Sequence, residues 1–141
     1  MGETDHSLAV ADLMTRGVHT LSPQANLDEV SDLMRVHRIR HVPIVNAAGQ
    51  LVGLVTHRDL LSKAFGGGQD LPRSIRQPYL RSIPVSEVMT KRVTTAKPDA
   101  LLSEVACKMV AKRYGCLPVL QDGKLVGILT ATDFVRYVAG C

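Results

Sequence analysis

The chain has 141 residues, of which 45% are apolar, 21% charged and 4% aromatic, which allows one ordinary core and is far from a disordered composition. Seventeen Lys and Arg against thirteen Asp and Glu leave a net charge of +4, a mild excess that suits phosphorylated small molecules as well as nucleic acid. With no Trp, three Tyr and two Phe, the stacking platforms of single-strand binders are scarce, so a nucleic-acid partner is disfavoured.

No apolar run approaches the roughly 18 residues of a membrane span, and the start, MGETDHSLAVAD, lacks the basic-then-apolar order of a secretory signal. His6 stands where a myristoylation pattern needs Ser or Thr. The expectation is a cytoplasmic protein with no membrane partner. Cys107, Cys116 and Cys141 are an odd number without a C-x-x-C pair, which reads as reduced thiols rather than a disulfide framework or a zinc knuckle.

The informative feature is an internal repeat. A shift of 75 places matches Met14 with Met89, Thr15 with Thr90, Val18 with Val93, Thr20 with Thr95, Pro23 with Pro98, Leu27 with Leu102, Met34 with Met109 and Pro43 with Pro118. One residue is lost in the turn that follows, after which GQLVGLVTHRD lies on GKLVGILTATD. The repeats are placed at 9–65 and 85–139, with a linker at 66–84.

In chain order, each repeat opens with a short helix, about 9–15 and 85–90, followed by a brief β segment around Val18 to Leu21 and Val93 to Thr95. Leu27, Val30 and Met34, mirrored by Leu102, Val105 and Met109, have the i, i+3, i+7 spacing of an amphipathic helix, and Asn26 followed by Glu29 offers the first of these helices a capping box. Two apolar runs follow, VPIV and LVGLV in the first repeat, LPVL and LVGIL in the second. They are split by Ala47-Ala48-Gly49 and by the hairpin signal Asp122-Gly123. Runs this apolar are expected to be covered on both faces. A last helix, about 57–65 and 131–138, completes each repeat. Gly66 to Gly68 end the first of these helices, and the linker beyond offers one helical turn around Ser74 to Gln77. Its arginines, Arg73, Arg76 and Arg81, read as solvated linker charges ahead of anion contacts. The fold class is therefore mixed α/β (α+β), two β-α-β-β-α repeats. Neither is large enough to cover its own apolar surface, so they are expected to pack about a pseudo-two-fold axis.

The strand-proline runs, the hairpin and the G-h-h-T-x-x-D ending, present in both halves, resemble a tandem pair of CBS domains, the cystathionine β-synthase-type regulatory module, from about residue 9 to 139. The resemblance implies a compact disc-like pair that often dimerises, binds adenine nucleotides or related ligands in clefts between the copies and senses them for an enzyme, channel or transporter. It implies a non-catalytic ligand sensor with no required cofactor. AMP, ADP or ATP, or alternatively S-adenosylmethionine, would be the regulatory ligand, and the partners a second copy in a homodimer and a regulated protein of unknown identity.

The candidate chemistry lies in Gly53-Leu54-Val55-Thr56-His57-Arg58-Asp59 and Gly127-Ile128-Leu129-Thr130-Ala131-Thr132-Asp133. Each threonine is expected where a strand hands over to a helix, its hydroxyl beside the free N–H groups of the first turn, a combination that favours phosphate. One turn on, Asp59 or Asp133 can accept hydrogen bonds from both ribose hydroxyls, while Gly53 and Gly127 would let a flat base or sugar approach the strand. Arg58 can form a bidentate phosphate contact that Thr132 cannot, so the first motif is expected to hold the more phosphorylated or tighter-bound ligand. The resemblance also assigns a base pocket to Val18, Thr20, Val93 and Thr95 together with His41 and Cys116, near Arg40 and Gly115. Val42 and Leu117, each followed by a proline (Pro43, Pro118), would form its apolar walls.

Plainer readings stand beside these. Thr-x-x-Asp is also an ordinary helix-capping box. His37 and His41 have the spacing of two zinc ligands, but the helix is expected to end near Arg38, so no metal site is expected. Cys116 reads as a small buried filler ahead of a redox switch. The alternative to a ligand sensor is a protein-interaction or assembly module with vestigial clefts. No serine–histidine–acid or cysteine–histidine grouping argues for an enzyme.

Overall fold

The computed structural model describes residues 7–64 and 73–141; the Gly66 to Gly68 helix stop lies outside them. The elements are α1 (Val10–Leu13), α2 (Leu27–His37), β1 (His41–Val45), β2 (Leu51–Thr56), α3 (His57–Asp59, continuing as a π-helical turn over Leu60–Ala64), α4 (Arg73–Arg81), a 3-10 turn (Val85–Glu87), α5 (Leu102–Lys112), β3 (Cys116–Gln121), β4 (Lys124–Thr130) and α6 (Ala131–Ala139). The chain divides into two compact units, one contiguous (His19–Val93) and one split (residues up to Val18 together with Thr94–Cys141). Unit and repeat are thus different divisions of the chain: each unit combines the body of one repeat with the leading segment of the other.

In the contiguous unit, Asn26 caps α2 by accepting from the Glu29 N–H (3.1 Å) while Glu29 accepts from the Asn26 N–H (2.8 Å), closing the expected capping box. Leu27, Val30 and Met34 are buried, each apolar side chain so enclosed contributing about 1.5–3 kcal/mol. The helix ends at Arg38 in the left-handed region (φ 54°), and β1 and β2 follow as an antiparallel hairpin with a bulge between Ile44 and Val45. The Asn46 carboxamide accepts from the N–H groups of Ala48 and Gln50 (both 3.0 Å), which shapes the turn. Leu21 adds one parallel bridge to Ile44 on one side of the hairpin, and Thr90 one antiparallel bridge to Leu54 on the other.

The split unit repeats this plan. Leu102, Val105 and Met109 of α5 are buried, Arg113 ends the helix at φ 58°, and β3 and β4 pair around Asp122 and Gly123, both at positive φ, the geometry of a tight primed hairpin turn. Ala96 bridges Val119 and Thr15 bridges Ile128. Each unit has its own core, the contiguous one around Leu27, Ile44, Val55 and Leu80 and the split one around Val10, Leu117, Val119 and Leu129.

Three elements differ from expectation. The leading helices shrink to the four residues of α1 and a single 3-10 turn. The brief β segments reduce to one bridge each, at Leu21 and Ala96. The linker, in contrast, forms nine-residue α4 where one turn was expected, despite Pro78 inside it. Proline removes a backbone donor, but Leu80 is 2% exposed in the core and Arg81 pairs with Asp28 at 3.2 Å, so tertiary anchoring outweighs local propensity.

Candidate functional site

Strand register places each threonine of the T-x-x-D motifs opposite the start of its hairpin: Thr56 faces His41 and Thr130 faces Cys116. The His57 N–H donates to the Arg40 carbonyl (2.8 Å) and the Ala131 N–H to the Gly115 carbonyl (3.2 Å), so Arg40–His41 and Gly115–Cys116 lie against their motifs. Thr20 is held near Pro43 by the Leu21 N–H donating to the Pro43 carbonyl (3.3 Å), and Thr95 near Pro118 by the Ala96 N–H donating to the Pro118 carbonyl (3.0 Å). Val18 belongs to the split unit and Val93 to the contiguous one, so each falls with the motif of the other repeat.

Two expected roles change. Val42 (0% exposed) and Leu117 (1%) are enclosed in their cores, where they back the strands instead of forming the walls of an open pocket; Pro43 and Pro118 are buried beside them. The faces of Gly53 and Gly127 are taken by protein: the atoms nearest a Cβ at Gly53 would be those of Met89, Sδ first, while one at Gly127 would meet Met14 Sδ and Cγ and, at 3.1 Å, the Thr15 carbonyl oxygen. The missing side chains make room for the leading segment of the other repeat, Met89 at Gly53 and Met14 at Gly127.

His37 closes α2 and His41 opens β1, so the two do not share a helix face, and the His37 ring instead stacks on His19, centroids 3.7 Å apart. Among the described residues no group of three or more His, Cys, Asp or Glu is placed to hold a metal ion. A surface cavity of about 680 Å³ in the split unit, lined in part by Arg16, Lys97, Asp99 and Asp122, takes in none of the motif residues. No helix of the described residues is long and apolar enough to cross a membrane.

The family profile described as CBS domain matches residues 10–66 and again 85–140. The chain belongs to the CBS domain family. It is similar to a Vibrio cholerae protein whose name ties it to acetoin utilization (AcuB), with 40% identity, TM-score 0.81 and coverage of 94% of this chain and 91% of that one. It is also similar to the CBS domain pair of protein MJ0100, solved with 5′-methylthioadenosine and S-adenosyl-L-methionine (29% identity, TM-score 0.78, coverage 94% and 97%), and to CBSX2 solved with AMP (25% identity, TM-score 0.77, coverage 94% and 96%). Two curated relatives, 33% and 32% identical, are longer: the chain spans 24% of one and 41% of the other.

Within the two CBS domains the motifs share the threonine N–H to aspartate bond and differ in the rest of their hydrogen bonding. In the first, the Thr56 N–H donates to Asp59 Oδ2 (3.0 Å) and the Asp59 N–H to Thr56 Oγ1 (3.1 Å), a reciprocal box that leaves the Thr56 hydroxyl proton and Asp59 Oδ1 without partners among the described residues. In the second, both the N–H and the hydroxyl of Thr130 donate to Asp133 Oδ2 (2.8 and 3.2 Å), and the Thr15 hydroxyl donates to Asp133 Oδ1 (2.7 Å). Asp133 is 6% exposed, whereas Asp59 is half-buried, with His57 half-buried and Arg58 and Thr132 exposed beside their motifs. A carboxylate so enclosed needs its full set of donors, and Thr15 supplies one of them.

Sequence reasoning gave Thr15 no role. The one available signal was that the Met-Thr pair recurs at Met89-Thr90. Next to the threonines, burial and the neighbouring Arg40 charge lower the His41 pKa from 6.5, which keeps its ring neutral, and burial pushes the Cys116 thiol up to about 12. Cys116 is thus a protonated filler with no thiolate to oxidise.

Proposed function

We propose that this chain is a non-catalytic regulatory module that binds an adenosine-containing ligand, AMP, ADP or ATP ahead of S-adenosylmethionine, and signals its occupancy to a partner protein. The reading is carried by the first motif, whose unsatisfied groups match what such a ligand brings. Asp59 Oδ1 is an open acceptor for a ribose hydroxyl, the Thr56 hydroxyl has a proton for a phosphate oxygen, and exposed Arg58 supplies a planar cation for the same phosphate. Arg58 favours phosphates over a sulfonium. His41 and Thr20 flank the motif on the base side. Support from relatives comes from the adenosine compounds in the MJ0100 and CBSX2 structures. Calorimetry and thermal shift with AMP, ADP, ATP, NAD, S-adenosylmethionine and 5′-methylthioadenosine test the proposal. Saturation at a hundred times the dissociation constant adds about 2.7 kcal/mol to stability, and Asp59→Ala weakens binding at least tenfold. Absence of heat and of any melting shift with all six compounds rejects it.

A second reading, an assembly module, draws on α6, where Val135 and Val138 are 65% and 85% exposed and Tyr137 is 56% exposed. Valines three residues apart share a helix face, and burying them in a homodimer would remove that apolar surface from water. Light scattering tests this reading: Val138→Glu is expected to convert a dimer to a monomer, and a monomeric wild type rejects it. Sensing and assembly are compatible roles.

A further inference from the structure

The two motifs differ in one contact that bears on which of them takes the ligand, an inference that rests on the adenosine-binding reading above. Thr15 and Thr90 occupy equivalent positions, and their backbones dock identically. Thr15 exchanges N–H and carbonyl hydrogen bonds with Ile128 (2.8 and 3.0 Å), and Thr90 with Leu54 (both 2.9 Å). Their side chains part company. The Thr15 hydroxyl donates to Asp133 Oδ1 at 2.7 Å, the length of a charge-assisted bond, whereas the Thr90 hydroxyl makes no hydrogen bond to Asp59 among the described residues, although both threonines are exposed.

A threonine hydroxyl is a secondary alcohol, as are the 2′ and 3′ hydroxyls of ribose. Thr15 therefore presents Asp133 with the same donor a nucleoside would. With Thr130 donating twice to Oδ2, three of the roughly four acceptor positions of the second carboxylate are committed within the protein, and so is the Thr130 hydroxyl proton that a phosphate would need. A ribose can place both of its hydroxyls on Asp133 only by breaking one of these bonds, and gains at that position no more than it removes.

We propose that Thr15 is an internal stand-in for ribose that keeps the second motif self-liganded, so that the first motif is the primary adenosine site and the second fills only when Thr15 lets go. Thr15 is in this sense a positioning residue that sets stoichiometry.

The test is calorimetric titration of the full chain with AMP. Wild type is expected to show one tight site per chain that Asp59→Ala removes. Thr15→Val, which keeps the β-branched shape and loses the hydroxyl, is expected to strengthen or create the second site at least tenfold, about 1.4 kcal/mol, while Thr15→Ser, which keeps the hydroxyl, stays like wild type. Should Thr15→Val fail to fold, the comparison of Asp59→Ala with Asp133→Ala in an otherwise wild-type chain decides: the first is expected to abolish tight binding and the second to leave it. Two equal sites in wild type, an unchanged second site in Thr15→Val, a Thr15→Ser that behaves like Thr15→Val, or tight binding lost in Asp133→Ala and kept in Asp59→Ala would each overturn the stand-in role while leaving adenosine binding intact. No heat from AMP or the other five compounds, in wild type and Thr15→Val alike, overturns the adenosine reading and this inference with it.

Discussion

Removing the two motif carboxylates one at a time should destabilise the protein unequally, and the structure sets the size of the difference. Asp59→Ala deletes an acceptor for one N–H at the start of α3, a loss of about 1 kcal/mol for an N-terminal cap. Asp133→Ala deletes the matching cap to the Thr130 N–H, the Thr130 hydroxyl bond and the Thr15 bond. A hydrogen bond to a charged group contributes about 1.5–3 kcal/mol, so with the cap the gross loss is roughly 4 kcal/mol or more. Asp133 is 6% exposed, and removing it also removes the cost of burying a charge, which offsets part of that. The net expectation is about 2 kcal/mol for Asp133→Ala against about 1 kcal/mol for Asp59→Ala. At roughly 3 °C per kcal/mol for a chain of this size, melting points without added ligand should fall by about 6 °C and about 3 °C. Scanning calorimetry at neutral pH, checked by urea midpoints, measures both. Equal losses, or a larger loss from Asp59→Ala, would show that the Thr15–Asp133 bond contributes nothing and refute the reasoning.

Gly53→Ala is expected to cost about 1–3 kcal/mol by overpacking, because the atoms nearest its Cβ would be those of Met89. Met89→Ala should recover part of that loss, giving a favourable coupling in a double-mutant cycle. Gly127→Ala combined with Met14→Ala should likewise recover part of the loss, since each truncation leaves one atom 3.1 Å from the new methyl, the Met89 Cβ at Gly53 and the Thr15 carbonyl oxygen at Gly127. Thiol labelling of native protein is expected to modify exposed Cys107 and Cys141 quickly and Cys116 only on unfolding, since burial holds the Cys116 pKa at about 12; a third fast thiol would contradict the buried, protonated assignment. Burial and the Arg40 charge lower the His41 pKa from 6.5, so on acidification the unfolded chain binds the proton before the folded one does. The stability that neutral His41 contributes is complete above pH 6.5 and is lost as pH falls from there through the lowered folded value. Urea midpoints taken from about pH 7.5 to about pH 5.5 should decline in wild type and decline less in His41→Gln; parallel curves would rule this out.

What was legible in the sequence is what local periodicity encodes. The spacing of Leu27, Val30 and Met34 and its copy at Leu102, Val105 and Met109 set the buried faces of α2 and α5. Asn26 and Glu29 marked a real cap, and Asp122-Gly123 a real turn. What periodicity cannot carry is partner choice between distant segments. That Leu8 to Met14 pack with the second repeat, while Val85 to Met89 pack with the first, depends on side-chain fit such as Met14 at Gly127 and Met89 at Gly53, and both glycines look in sequence like openings for a ligand. Helix α4 was underestimated for the same reason: Pro78 and the linker arginines argue against a helix locally, and buried Leu80 with the Arg81–Asp28 pair supplies the missing stabilisation from outside the segment.

The candidate site shows a further limit. Thr15 and Thr90, Thr56 and Thr130, Asp59 and Asp133 are identical residues at matched positions, so the repeat distinguishes the motifs only through the residues between them, Arg58 against Thr132, and not through these shared groups. The difference lies in how the shared groups are spent. In the first motif the threonine hydroxyl accepts from the Asp59 N–H and the carboxylate accepts one bond; in the second the hydroxyl donates and the carboxylate accepts three. The helices the motifs open also diverge, a π-helical turn following Asp59 and a regular α6 (Ala131–Ala139) running on through Asp133. A polar group fully satisfied inside the fold contributes to stability and has little left to give a ligand, while one left with open valences costs stability and is available for recognition. One copy of a duplicated motif can therefore take the first role and the other the second with no change in its Thr-x-x-Asp residues, and the unequal losses expected for Asp133→Ala and Asp59→Ala follow directly from that division.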